Sequence, residues 1–250
     1  MPAIHDEAIC IRRHDWSETS LTVTMFCRET GIIRGIAKGA KREKGAFSGG
    51  IELLTRGELG AIIKPERDLA TLTDWNLKEV YPALHSNLQA HRMGMYLADI
   101  TGRSLATGDP HPVLFDRITE ALRVIGNCSS TERERSENLM WAQMSILDET
   151  GYRPELEHDV ETGEKISALP PGRVLAFIPD RGGIACNTRG DDRWLVRAAT
   201  VNLLRDSAGN NLSDTTLDRA NRLLAAYLRH VLGCEPPTML AIFGENQPYR

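Results

Sequence analysis

The chain has 250 residues, 41% of them hydrophobic and 26% charged, with a formal net charge of −4. Those totals suit a globular protein of one large domain or two ordinary ones with a sizeable core. They exclude a uniformly basic nucleic-acid binder, so any polyanion site has to arise from local clustering of cations. No apolar run approaches the roughly 20 residues that span a bilayer. The first residues carry Asp6 and Glu7 and lack the apolar core of a signal peptide, so the cytoplasm is the expected compartment. Cys10, Cys27, Cys128, Cys186 and Cys234 are odd in number, far apart and without a CxxC pair, which argues against a disulfide framework or a zinc site.

In chain order, residues 7–14 (EAICIRRH) read as a first strand. In residues 19–28, Leu21, Val23, Met25 and Cys27 alternate with Ser20, Thr22, Thr24 and Phe26, a period of two that predicts a strand with one buried face. Thr30-Gly31 is a turn signal, and residues 32–38 restart an extended run. Residues 51–56 and 58–64 read as a hairpin hinged near Gly57, and residues 69–74 as a last short strand. About five short strands in under 80 residues, with Gly-bearing turns and no helix between them, predict a small antiparallel barrel of OB type.

Tyr81-Pro82 marks a change of period, because proline cannot continue a central ladder. Residues 86–105 then read as a helix, and Asp109-Pro110 opens a second one with Leu114, Ile118, Leu122 and Ile125 on one face, closed by Gly126. A polar break, NCSSTERERSE, leads to a helix around Leu139, Met140, Met144 and Leu147 that ends at Gly151. Residues 193–205 read as another helix, and Ser213-Asp214 caps a long one running to Gly233. Residues 152–190, rich in proline and glycine, interrupt this half as an irregular insert with a short strand at residues 174–178. The fold class is α+β: an OB-type barrel over residues 1–80, then a helical domain over residues 81–250 with its insert at about 152–190.

The chemistry concentrates after the third strand. There Gly35, Gly39 and Gly45 are interleaved with Arg34, Lys38, Lys41, Arg42 and Lys44, and only Glu43 opposes those charges. A glycine-rich basic loop lets a phosphate backbone approach closely, and each cation that neutralises a phosphate makes affinity fall with salt. Arg12 and Arg13 extend the surface. Aromatic content is only 6%, and stacking partners would have to be Phe26 or Trp75, each expected in the core, so backbone-driven, sequence-tolerant binding is the expectation. A catalytic reading fares poorly. The seven histidines are scattered, and no GxSxG, HExxH or GxxxxGK[ST] motif is present. Two other readings stay compatible with the residues: a protein–protein adaptor whose loop is merely solvated, and an RNA-binding OB-fold protein.

Ser17-Glu18-Thr19-Ser20-Leu21, Thr30-Gly31 and Ala37-Lys38-Gly39-Ala40 resemble the amino-terminal domain of the bacterial RecO family. Tyr152-Arg153-Pro154 after Gly151, followed by Leu156, and Gly182-Gly183 in the insert are similar to the family as well. The resemblance implies a non-enzymatic, nucleoid-associated mediator of homologous recombination in DNA repair. Such proteins bind single- and double-stranded DNA, anneal complementary strands, join RecR, contact single-strand-binding protein and help load RecA onto coated DNA. The DNA-binding role carries over to Lys38, Lys41, Arg42 and Lys44, and to Arg34. In the family the insert often holds a four-cysteine zinc knuckle. At the matching stretches of this chain only Cys186 keeps a thiol, while Asp159, Thr162 and Arg189 stand where other ligands would be. No cofactor is therefore expected, the knuckle being degenerate, and an Asp159–Arg189 ion pair is the expected replacement for the metal.

Overall fold

The computed structural model describes residues 3–42, 45–47, 50–64, 66–167, 169–170, 172–205 and 213–244. It separates into two compact units, Met1–Ser130 and Thr131–Arg250.

The first unit is built on a closed five-stranded barrel of strands β1 (Ala3–Asp15), β2 (Leu21–Cys27), β3 (Gly31–Ala37), β4 (Arg56–Ile62) and β5 (Ala70–Glu79). Around the barrel the order is β1-β2-β3-β5-β4, with β3 and β5 parallel and the other pairs antiparallel, the arrangement of an OB fold. The alternation in β2 works as anticipated: Leu21, Val23, Met25 and Cys27 join the barrel core with Ala8, Cys10, Ile33, Leu59, Leu72 and Trp75. The thirteen-residue β1 pairs with both β2 and β4, and a bulge between Cys10 and Arg12 lets one strand serve both neighbours. Burial pushes the Cys10 thiol up to about 12, so it stays protonated at neutral pH.

The segment read as a strand over residues 51–56 is irregular up to Thr55. Leu54 has φ +60, which no ladder accepts. The Leu54 amide donates to the Cys10 carbonyl and the Cys10 amide to the Thr55 carbonyl, next to the bulge. Phe47 and Ile51 from this loop are buried in the barrel core, so the apolar residues that suggested a strand fill space instead. The last strand is longer than residues 69–74, because β5 continues alongside β4 to Glu79.

Three helices complete the first unit: α1 (Ala83–Ser86), α2 (Leu88–Ser104) and α3 (Pro112–Ile125). A boundary at residue 80 thus marks the end of the barrel, whereas the compact unit runs on to Ser130. Phe26 and Phe115 meet edge to face with centroids 5.5 Å apart, and Arg28 makes a bidentate pair with Asp116 at 3.0 and 2.9 Å. Arg56 and Arg123 both converge on Glu79. These contacts seat α3 against the barrel strands.

In the second unit α4 (Glu132–Glu149) begins well before its first apolar residue. Much of the expected polar break is helical, because Thr131 and Glu134 form a capping box and place acidic side chains at the helix N-terminus. The insert is more regular than its composition suggests. Strands β6 (Val174–Ile178), β7 (Gly183–Ala185) and β8 (Trp194–Arg197) form an antiparallel sheet in the order β7-β6-β8. The expected helix over residues 193–205 therefore splits into β8 and α5 (Ala198–Arg205). Trp194 pairs with Phe177 across the ladder and stacks on its ring, so this stretch is worth more as a third strand than as a helical turn. Helices α6 (Asp214–Leu232) and α7 (Met239–Phe243) close the unit, with Ser213 capping α6 and Gly233 ending it at φ +65. The buried Gln143 amide donates to Asn221 Oδ1 at 2.8 Å, and Asn221 donates to the Ser136 carbonyl, which fixes α4 against α6.

Candidate nucleic-acid interface

The register across β1, β2 and β3 sets out the candidate surface. Arg12 lies opposite Thr24, and Thr24 opposite Arg34. His14 lies opposite Thr22, and Thr22 opposite Ile36. Successive residues of a strand face opposite sides, so these two rows share the outer face while Val23, Met25 and Ile33 fill the core. A groove of about 480 Å³ runs along this face, lined among others by Arg12, His14, Trp16, Thr24 and Arg34, with Leu105 and Thr107 as its far wall. Thr107 bridges to Ile32, and the Gly108 amide donates to the Ile32 carbonyl, which holds that wall in place.

The β2–β3 turn is fixed by one buried carboxylate. Asp6 accepts from the Glu29 amide and from the Thr30 hydroxyl at 2.7 Å. Gly31 follows at φ +74 with its Cα so close to Asp109 that a Cβ would overlap the Asp109 carbonyl.

Arg34 is exposed in the middle of β3, and Lys38 is exposed just past its end, about 13 Å along the same face by strand rise. Arg42 is exposed in the following turn and packs alongside Gly39. None of Arg34, Lys38 and Arg42 makes an ion pair with another described residue. Lys41 differs. Its Nζ lies 2.9 Å from Asp15 Oδ1 and donates to the Ser17 carbonyl at 3.0 Å, and its amide donates to the Thr19 carbonyl. The Lys41 hydrogen bond holds the Asp15 carboxyl below the usual carboxylate range. Lys41 thus ties the β3 turn to the β1–β2 turn. Arg12 is shared too, since it and Arg103 both hold Asp99, and Arg13 is paired with Glu52. Lys44 lies outside the described residues.

Both aromatic candidates are in the core, Phe26 at 0% exposure and Trp75 at 4%. The aromatic that sequence reasoning passed over is Trp16, 64% exposed on the β1–β2 turn at the edge of the groove. The signal was its place directly after Arg12-Arg13-His14-Asp15 and before a serine-rich turn.

The knuckle-like positions do not offer a zinc donor set. Asp159 is buried, and its carboxylate accepts from the amides of Cys186 at 2.7 Å, Glu161 at 2.8 Å and Thr162 at 3.2 Å. Burial opposes its ionisation, but those amide bonds outweigh it and hold the carboxyl below its ordinary range. The Thr162 hydroxyl accepts from the Glu164 amide, and Arg173 donates to Cys186 Sγ at 3.2 Å. Among the described residues no group of three or more His, Cys, Asp or Glu side chains could hold a metal ion. The expected Asp159–Arg189 pair is not formed. Instead Glu161, two residues on, pairs with Arg193, whose guanidinium donates at 2.7 and 2.8 Å and also reaches the Asn187 carbonyl. Asp159 is too deep for an exposed arginine, and the amides of its own turn are nearer.

Comparison with known proteins agrees with this architecture. The family described as Recombination protein O N terminal matches residues 1–81, and that described as Recombination protein O C terminal matches residues 85–239. The chain is 33% identical over 224 residues to the DNA repair protein RecO of Azoarcus sp., covering 88% of this chain and 87% of that protein. It is 27% identical over 230 residues to the DNA repair protein RecO of Desulfitobacterium hafniense, covering 89% and 78%. For the corresponding protein of Thiobacillus denitrificans the values are 29% over 238 residues, covering 93% and 88%. No described helix is long and apolar enough to cross a membrane. With matches over both the barrel and the region that follows it, the chain belongs to the recombination protein O (RecO) family.

Proposed function

We propose that the protein binds single- and double-stranded DNA through the outer face of its barrel and the turn after β3, and promotes annealing of complementary strands. With RecR it would help RecA load onto DNA coated by single-strand-binding protein, without catalysing a reaction itself and without a metal cofactor. The observation that carries this reading is the run of Arg34, Lys38 and Arg42, exposed and without carboxylate partners among the described residues, inside a chain of net charge −4. Cations in that state are available to phosphates and release condensed counterions on binding. Neutralising two strands on one surface lowers their mutual repulsion, which favours pairing. Acidic residues such as Asp148, Glu149, Glu155 and Glu157 in the second unit oppose DNA contact there and leave that unit to protein partners.

The test is annealing of complementary oligonucleotides with and without single-strand-binding protein, and with RecR added. The proposal expects faster annealing than the spontaneous rate, retained on coated strands. A rate equal to the protein-free control would contradict it.

A further inference from the structure

We propose that Trp16 is a stacking platform for an unpaired DNA base, placed so that Arg34 can hold the adjoining phosphate. The inference rests on the DNA-binding reading above and deepens it, because it names the form of strand that the groove prefers.

Tryptophan is a costly residue to leave in water, and the other three in this chain are covered: Trp75 is buried, and Trp141 and Trp194 are partly buried. Trp16 is exposed and makes no ring contact with another described residue, so its faces are open. Its backbone is nevertheless fixed. The Trp16 and Ser17 amides both donate to the Ser20 carbonyl, the Ser20 amide donates to Ser17 Oγ, and Lys41 clamps the turn from the other side. The turn that carries the ring is held before a ligand arrives, so stacking has only the Trp16 side chain itself to order. Trp16, Arg34 and the half-exposed Arg12 share the groove. A wide indole face beside cations on a track of strand residues is the combination that recognises single strands, the bases on the ring and the phosphates on the guanidinium groups. A duplex offers no such face, because its bases are stacked on their neighbours and present only their edges.

The experiment measures affinity of the full chain and of Trp16→Ala and Trp16→Phe for a single strand and a blunt duplex of equal length, each over a salt series. Stacking is worth enough that Trp16→Ala should weaken single-strand binding by about tenfold. Duplex affinity and both salt slopes should stay as they are, and Trp16→Phe should keep most of the single-strand affinity. Unchanged melting of the variants shows that the loss is not misfolding. Equal losses on both ligands, or no loss on either, overturn the Trp16 assignment even where Arg34→Ala still weakens binding. Failure of the unsubstituted protein to bind either ligand overturns the DNA-binding reading and this inference with it.

Discussion

Lys41 and Asp15 form an ion pair at 2.9 Å that joins the turn after β3 to the turn after β1. Lys41 also donates to the Ser17 carbonyl, so it clamps the turn that carries Trp16. Among the described residues of the basic run, Arg34, Lys38 and Arg42 make no ion pair and Lys41 does.

Replacing Asp15 with Asn should tighten DNA binding and steepen its salt dependence, because it returns one uncompensated cation to the surface. Lys41→Ala should change the salt slope much less than Lys38→Ala or Arg42→Ala, each of which should lower it by about 0.7 on a single strand. Fluorescence anisotropy across a salt series separates these outcomes. A Lys41→Ala slope change as large as that of Lys38→Ala would mean that the clamp opens on binding.

Gly31 tests the architecture around the groove. Alanine there adds a Cβ against the Asp109 carbonyl at a positive φ. The expected cost is about 2–4 kcal/mol, combining overpacking with a strained backbone. Urea unfolding of Gly31→Ala should show it as a lowered midpoint, and a midpoint within error of the parent would show that the 109 segment moves aside at no cost.

Glu79 sets an acid limit on the first unit. Burial opposes its ionisation, yet hydrogen bonds from Arg123 and Arg56 hold its carboxyl below the ordinary value of 4.5. A depressed folded value means that the contribution is complete above about 4.5 and disappears as pH falls through the folded value. Melting temperatures of the parent and of Glu79→Gln should therefore differ at neutral pH and converge in acid. A constant difference down to the lowest pH would remove this assignment.

Asp159 bridges the 159–162 turn to the end of β7 through backbone amides, and the proposed function assigns the insert no metal. Chelators should leave the melting temperature unchanged, and the purified protein should contain no stoichiometric zinc. Asp159→Ala should destabilise the second unit by about 2–3 kcal/mol, since it leaves amides hydrogen-bonded to a charged group without a partner. Hydrogen exchange over residues 156–197 gives the local readout. Protection lost on chelation would contradict the metal-free arrangement.

The barrel was legible because β2 alternates cleanly and because no helix interrupts the first strands. Its details were not. The Ile51–Leu54 stretch looks like a strand because burial alone demands apolar residues, and only the fold shows that it is a loop filling the core. The start of α4 was missed although Thr131 and Glu134 spell a capping box in the sequence, because the apolar spacing that marks the helix begins only at Leu139. In the candidate site the charges were visible, but pairing is a property of space. Asp15 and Lys41 are far apart in sequence, as are Glu161 and Arg193, so neither pair could be read from spacing. Trp16 was missed for the same reason: its exposure depends on where the β1–β2 turn projects.

The most direct measurement is single-strand DNA binding by the triple variant Arg34→Ala, Lys38→Ala and Arg42→Ala against the parent, from low to moderate salt. If these cations are the phosphate contacts, affinity drops and the slope of log K against log salt falls by about two units. The same affinity and the same slope in both proteins would show that DNA, if bound at all, does not lie on this face of the barrel.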